Sequence, residues 1–258
     1  MIHEIGLIGY GRIGEDLATR IRAAPDTELA YVYVRSPKPE IDEPQLTDPS
    51  ELADHPVDLV VEAATPDVLA ELAEPVLAES DLLVLSGSAF ADPDREARLT
   101  DLAVRSDHDC YLPHAALFGI DGLVDARDAL ESVHIEARKA PDHLDFEYAD
   151  AIDPGAVEDG TVLYEGPTRG LCRRFPRNFN SHAAMALAGL GLDATTSRLI
   201  VDPDRASAHH VITATGPGFE LEAVRDSAIE GVTGDYTLVS TWGSVRRVLK
   251  ADEGLQFL

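Results

Sequence analysis

The chain has 258 residues, 45% of them hydrophobic, enough to bury the cores of two medium domains or one large one. Forty-seven acidic residues against 21 basic ones give a net charge of −26, and with no basic stripe to neutralise phosphates, nucleic acid is excluded as a partner. No apolar run approaches the length of a membrane span, and Cys110 and Cys172 form no CxxC pair, which excludes a membrane anchor and a structural zinc site and leads us to expect a reducing cytoplasm. The N-terminus enters a strand pattern at once, without a basic n-region, so no secretory leader is expected. The acids run along the whole chain between good core segments. They predict a solvated acidic surface on a folded protein, of the kind suited to a salt-rich cytoplasm.

An apolar run, Ile5 to Ile8, leads into Gly9-Tyr10-Gly11-Arg12-Ile13-Gly14 and then into a helical pattern with Leu17 and Ile21 on one face. In strand, glycine turn and helix of this kind each glycine has a task. Gly9 makes the tight turn, Gly11 lets a pyrophosphate approach the backbone, and Gly14 lets the helix pack close to the strand. Unpaired amides at the helix start add a site for an anion. The segment predicts dinucleotide binding. A second strand spans 28–34. Where such folds carry an acid for the ribose 2′-hydroxyl, this chain has Val34 and then Arg35, with Ser36 and Lys38 close behind. A 2′-phosphate is not repelled there, which favours NADP over NAD; the alternative is that Arg35 and Lys38 are ordinary surface residues. Residues 40–56 read as a loop with one short helix. Residues 57–64 read as a buried strand, and Thr65-Pro66-Asp67 caps a helix running to about Glu79. A strand at 81–86, a helix at 93–105 and a strand at 110–113 complete a β-α alternation, the signature of a doubly wound parallel sheet. Ligands lie beyond the carboxyl ends of such strands, so Gly9–Gly14, Arg35, Ala64 and Ser86 are expected to converge.

The pattern changes after Pro113. His114 opens a helix or loop, residues 132–139 alternate as a strand with one solvated face, and residues 141–160, with Pro154-Gly155, read as loop. A short strand at 162–166, a small-residue helix from Ala183 to about Leu190, strands at 197–201, 210–215 and 219–225, and a final helix at 236–250 follow. This predicts an α+β domain over 113–235, for substrate and dimerisation, after a dinucleotide-binding domain over 1–112 that the last helix completes. No metal-ligand spacing and no GxSxG elbow is present. His209-His210 is the one adjacent histidine pair, and by itself it reads as a polar strand start.

Several stretches together resemble the L-aspartate dehydrogenase family: Gly6–Gly14, Val61-Glu-Ala-Ala64, Leu83-Val-Leu-Ser86 with Ala89-Phe-Ala-Asp92, Gly119-Ile-Asp121, Ala137-Arg-Lys139, Tyr164-Glu-Gly166 and, most specifically, Phe175-Pro-Arg-Asn-Phe-Asn180 before an alanine-rich helix. The resemblance covers almost the whole chain. It implies a Rossmann domain followed by an α+β domain, a homodimer, NADP or NAD as cofactor, and oxidation of a small dicarboxylic amino acid, L-aspartate, to iminoaspartate and then oxaloacetate and ammonia, a reaction that can feed NAD biosynthesis. It also implies a catalytic histidine in a His-x-Ile stretch with glycine six residues on, which His210 and Gly216 match better than His209 does. Asn178, Asn180, Arg177 and Lys139 are then candidates to meet the substrate's carboxylates, with surface ion pairing as the alternative for Arg177 and Lys139.

The chain departs from the family pattern at His114–Gly119, at Ser181-His182, at Ala208 (asparagine in the family) and at Gly234–Thr237. His114 and His182 are candidates to rebuild a donor set there. These departures leave open another small amino or hydroxy acid as substrate, or an NADP(H) sensor without turnover.

Overall fold

The computed structural model describes residues 2–149, 152, 153, 155 and 157–250; Pro154, part of the expected 141–160 loop, lies outside them. Contacts divide the chain into two units. One comprises Met1–Ala89, Pro93–Pro113 and the segment from Leu238 onward; the other comprises Phe90–Asp92 and His114–Thr237.

The first unit is built on a six-stranded parallel sheet. Its strands are β1 (His3–Ile8), β2 (Thr27–Tyr33), β3 (Gln45–Leu46), β4 (Leu59–Glu62), β5 (Asp81–Val84) and β6 (Cys110–Tyr111), in spatial order β3-β2-β1-β4-β5-β6. The order reverses at β1, between β2 and β4, and that reversal opens the crevice that doubly wound sheets use for ligands. Helices α1 (Arg12–Ala23), α2 (Glu51–Asp54), α3 (Pro66–Leu77) and α4 (Pro93–Arg105) connect the strands. The start of α3 follows from its sequence: the Thr65 side chain accepts from the Val68 amide, and Pro66 sits in the first turn, where its missing N–H costs nothing. Because β1, β4 and β5 are covered on both faces, their residues are almost all buried. The core around Ile5, Leu7, Leu17, Val32, Val61 and Leu83 also contains Val245 of the last helix, α8 (Asp235–Val248). The short strand β3 was not expected in the segment read as loop and helix. Two residues paired to β2 carry no periodicity to detect.

The second unit holds a mixed sheet in the order β12-β11-β10-β7-β9-β8. Its strands are β7 (Ser132–Lys139), β8 (Val162–Pro167), β9 (Thr196–Val201), β10 (Ser207–Gly216), β11 (Phe219–Glu230) and β12 (Thr233–Gly234). Only β7 and β9 pair in parallel. One face is packed: α5 (Ile120–Ala126) and α7 (Asn180–Ala188) contribute Leu123, Met185 and Ala188 to a cluster with Val133, Ile135, Ile212 and Ala214. The alternation of β7 places Val133, Ile135, Ala137 and Lys139 on that face and His134, Glu136 and Arg138 on the other. Helix α7 begins three residues earlier than the sequence predicts, and strands β10 and β11 extend past their expected limits. Helix α6 (Thr168–Arg174) was not expected at all.

Val245 is fully buried against the first sheet. Val245→Ala is expected to destabilise the protein by about 2 kcal/mol through lost burial and a residual cavity, read as a lower denaturant midpoint at unchanged slope.

Candidate active site

Two sets of residues draw attention, one in each unit. In the first, Gly9 closes the turn after β1 with φ of +93°, and a Cβ there would meet the Ala63 carbonyl oxygen at 2.7 Å. A Cβ on Gly14 would lie 2.4 Å from the Gly9 oxygen. These two glycines are required by the protein's own packing. Gly11 is different. Its φ is an ordinary −97°, and nothing lies within 4 Å of the position a Cβ would take. The protein does not need a glycine there; a phosphate approaching the backbone does. Gly11 is also the N-cap of α1 and makes no side-chain cap, and a helix start of this kind favours an anion. The residues present therefore fit a dinucleotide's pyrophosphate.

Around this loop, Lys38 Nζ donates to the Tyr10 carbonyl at 3.1 Å, lies 5.7 Å from the Tyr10 ring centroid and pairs with Glu40 at 3.6 Å. The segment after β2 is thus pinned to the glycine loop. Arg35 and Ser36 at the tip of β2 are exposed, and Arg35 has no hydrogen bond or ion pair among the described residues. The crevice wall is held by Glu62, the last residue of β4. Its carboxylate accepts from the Ala64 amide (2.8 Å), the Ser86 amide (2.9 Å) and the Ser86 hydroxyl (2.7 Å), which ties the ends of β4 and β5 together. Burial pushes this carboxyl up; the Ser86 and Ala64 hydrogen bonds pull it back. Val61–Ala64 was legible as a motif, yet the part Glu62 plays was missed.

The second set lies on the packed face of the second sheet. His210 on β10 sits directly opposite Arg225 on β11, and an Arg225 Nη lies 2.6 Å from His210 Nδ1. The His182 ring of α7 meets the His210 ring edge-on at 5.4 Å between centroids, and Phe179 stands 4.8 Å from His182. Lys139, at the end of β7, places Nζ 4.9 Å from the Phe179 ring centroid. All four polar side chains are buried. His182 is held from behind by a hydroxyl chain: its Nδ1 is 3.1 Å from Ser197 Oγ, which is 2.8 Å from Thr168 Oγ1.

The electrostatics of this cluster are one-sided. Neither Lys139 nor Arg225 forms an ion pair among the described residues, and Arg225 Nε and Nη1 and His182 Nε2 are buried without a hydrogen-bond partner. Burial, and then Arg225, brings Lys139 down to about 7. Burial also holds both imidazoles well below their usual range, with Lys139 and Arg225 adding to the effect. Buried cations without counter-charge cost several kcal/mol. A cluster of this kind is completed by an anion.

The other expected substrate residues lie elsewhere in this unit. Asn178 is satisfied at both ends of its carboxamide: its oxygen accepts from the Asp145 amide and its nitrogen donates to the His143 carbonyl, each at 2.8 Å. Arg177 is engaged by Asp145 and Glu147, both at 2.8 Å. These two residues staple the 143–147 segment to the start of α7. Asn180 opens α7, and the His114 ring stacks near Tyr236 at 6.5 Å. Arg225 was not singled out in the sequence. Its signal was phase: in β11 it falls in step with Leu221 and Ala223, as Lys139 does with Val133, Ile135 and Ala137. A basic residue at an inward position of an alternating strand marks a buried charge.

Residues 121–248 match the family model described as aspartate dehydrogenase, C-terminal, and residues 9–113 match the NAD-binding domain of homoserine dehydrogenase. L-aspartate dehydrogenase of Nitrosopumilus maritimus is 31% identical over 86% of this chain and 88% of its own, and that of Serratia proteamaculans is 34% identical over 83% of each. The chain belongs to the aspartate dehydrogenase family. The crystal structure of aspartate dehydrogenase from Thermotoga maritima shares the fold over the full length of both chains, with a TM-score of 0.79 at 23% identity. The α/β class expected from the sequence, with its parallel sheet and second mixed sheet, is therefore established.

Gly11→Ala is expected to leave thermal stability within about 0.5 kcal/mol of wild type while weakening nucleotide binding about tenfold or more, whereas Gly14→Ala lowers stability itself; thermal melts and nucleotide titrations on each variant separate the two effects. Lys139 has a folded-state value below its ordinary 10.5, so protonation costs the folded state stability, increasingly as pH falls from 10.5 to about 7 and by a constant amount below that. Lys139→Met removes the cost, and its stabilisation relative to wild type should be larger at pH 6 than at pH 9 by roughly 3 kcal/mol at most, as denaturant titrations at the two pH values would show.

Proposed function

We propose that this protein is an NAD(P)-dependent L-aspartate dehydrogenase, which converts aspartate to iminoaspartate and thence to oxaloacetate and ammonia. The observation that carries the substrate reading is the pair of buried cations, Lys139 and Arg225, beside two uncharged imidazoles and without a carboxylate partner among the described residues. The two carboxylates of aspartate supply the missing negative charge. Lys139, His210 and Arg225 are the groups we assign to it, with His182 fixing the His210 ring from behind. Asn178 and Arg177 hold the neighbouring segment.

The cofactor would be held by Gly9–Gly14 and the ends of β2, β4 and β5, where Ala64 and Ser86 are positioned by Glu62. A bound nicotinamide would supply the hydride acceptor for the substrate's Cα–H. The exposed, unpaired Arg35 with Ser36 and Lys38 favours NADP, because an arginine fork suits a 2′-phosphate and no acid stands at the tip of β2 to repel it. A homodimer is part of the same reading. The outer face of the second sheet, where Val211 pairs with Val224 and Val224 is half exposed, is the surface we assign to a second copy.

Incubation with a panel of small amino and hydroxy acids and either nucleotide is expected to give reduced cofactor, oxaloacetate and ammonia with L-aspartate in preference to the others. Turnover of another acid but not aspartate would overturn the assignment, and nucleotide binding without turnover of any acid would point to a sensor. Arg35→Asp is expected to shift the ratio of NADP to NAD affinity by about tenfold toward NAD through repulsion of the 2′-phosphate, measured by titration with each nucleotide.

A further inference from the structure

His210 is the histidine that the family pattern marks as catalytic, and a catalytic histidine is ordinarily given the part of proton acceptor. The geometry here points to a different division of labour. We propose that Arg225 fixes His210 as an N–H donor toward the substrate and that Lys139 is the group that takes the substrate's proton. This rests on the reading of the cluster as an amino-acid dehydrogenase site, and it concerns which of its members does which chemistry.

A guanidinium has five N–H donors and no acceptor. The Arg225 nitrogen at 2.6 Å from His210 Nδ1 can only donate, so Nδ1 must hold a lone pair. A neutral imidazole has one proton, and with Nδ1 bare that proton is on Nε2. A protonated ring would turn an N–H toward the guanidinium, with cation against cation. His182 is edge-on to the ring, and Lys139 adds a further cationic group nearby. His210 is therefore restricted to one tautomer in one charge state, and what its Nε2 presents is a hydrogen-bond donor. Such a group can hold a substrate carboxylate. It cannot accept a proton.

Lys139 has the opposite properties. It is buried, no carboxylate pairs with it among the described residues, and its Nζ lies over the face of Phe179, 4.9 Å from the ring centroid. The groups that bear on its charge are Arg225 from β11, His210 from β10 and His182 from α7, and none is an acid. Its position near 7 makes the free amine available at neutral pH. An N–H bond of the substrate ammonium breaks and its proton passes to Lys139 Nζ. The lone pair left on the substrate nitrogen forms the C=N bond as the Cα–H electron pair leaves as hydride to the oxidised nicotinamide. The products are a protonated imine, a lysine ammonium and reduced cofactor. Arg225 is a positioning residue in this scheme.

The test has two arms. In the cofactor-free protein with ¹⁵N-labelled histidine, long-range ¹H–¹⁵N spectra, assigned by loss of signals in His210→Gln, should show His210 with Nδ1 bare and Nε2 protonated from pH 6 to 9. Arg225→Leu should release it to a tautomer mixture, and Arg225→Lys, which still donates, should restore the single tautomer. His210 with Nε2 bare, or titrating near neutrality in wild type, would overturn the proposal whether or not aspartate is the substrate. In the second arm, kcat/KM for deamination should rise about tenfold per pH unit up to about 7 and level off above it. Lys139→Ala should lose about a thousandfold and be rescued by added methylamine, while His210→Gln, a donor that cannot take a proton, should retain far more activity than His210→Ala. Absence of amine rescue, together with His210→Gln as inactive as His210→Ala, would return the base role to His210. A wild type inactive on every amino acid would sink the dehydrogenase reading instead, and the spectra would still decide the tautomer.

Discussion

The second unit is organised by uncompensated positive charge in its interior. Lys139 and Arg225 are buried on one face of a mixed sheet, and among the described residues no carboxylate forms an ion pair with either, in a chain that carries 26 more acids than bases. Stability alone would not keep such an arrangement, since apolar residues of similar volume would pack there at lower cost. The surrounding structure follows from it. Helix α7 must bring a polar side chain, His182, into the packed layer, and that histidine must in turn be satisfied from below, which Ser197 and Thr168 do. His210 must stay neutral, since another charge among these would add like-charge repulsion to desolvation.

The first unit obeys a local constraint and the second a distributed one, and this governs how much of each was legible. The glycine loop is written within six residues, because each glycine answers to a backbone contact or an approach that only glycine permits. Strands buried on both faces and the Thr65-Pro66 cap are equally local, so most of the β-α alternation could be placed from sequence. Helix α6 escaped because Thr168–Arg174 is short, contains Gly170 and has no side-chain cap at its start. The start of α7 was misplaced because Asn180-Ser181-His182 looks like a linker. Ser181 and His182 are in fact buried, and the partner that makes His182 tolerable lies fifteen residues away, at Ser197.

The substrate cluster shows the same limit. The family pattern pointed to His210 and Lys139, yet their relation to each other is a matter of sheet register. His210 meets Arg225 because β10 and β11 pair in a register that sets those two residues opposite one another. A slip of one residue would put Asp226 there and turn Arg225 to the other face. Asp226 instead serves the outer face, where His209, Arg205 and Ser207 gather on it. The adjacent histidines thus acquire opposite environments from a period of two: His209 beside a carboxylate, His210 beside a guanidinium.

That opposition also bears on the sign of the chemistry. An imidazole whose Nδ1 accepts from a guanidinium is held neutral and turned into a donor. Removing a proton from an ammonium then requires another base, and burial among cations is what converts a lysine from a permanent charge into one at neutral pH. The positive cluster therefore does two things with one set of charges. It attracts the substrate's carboxylates, and by resisting further protonation it leaves a free amine where the substrate's nitrogen must lose a proton.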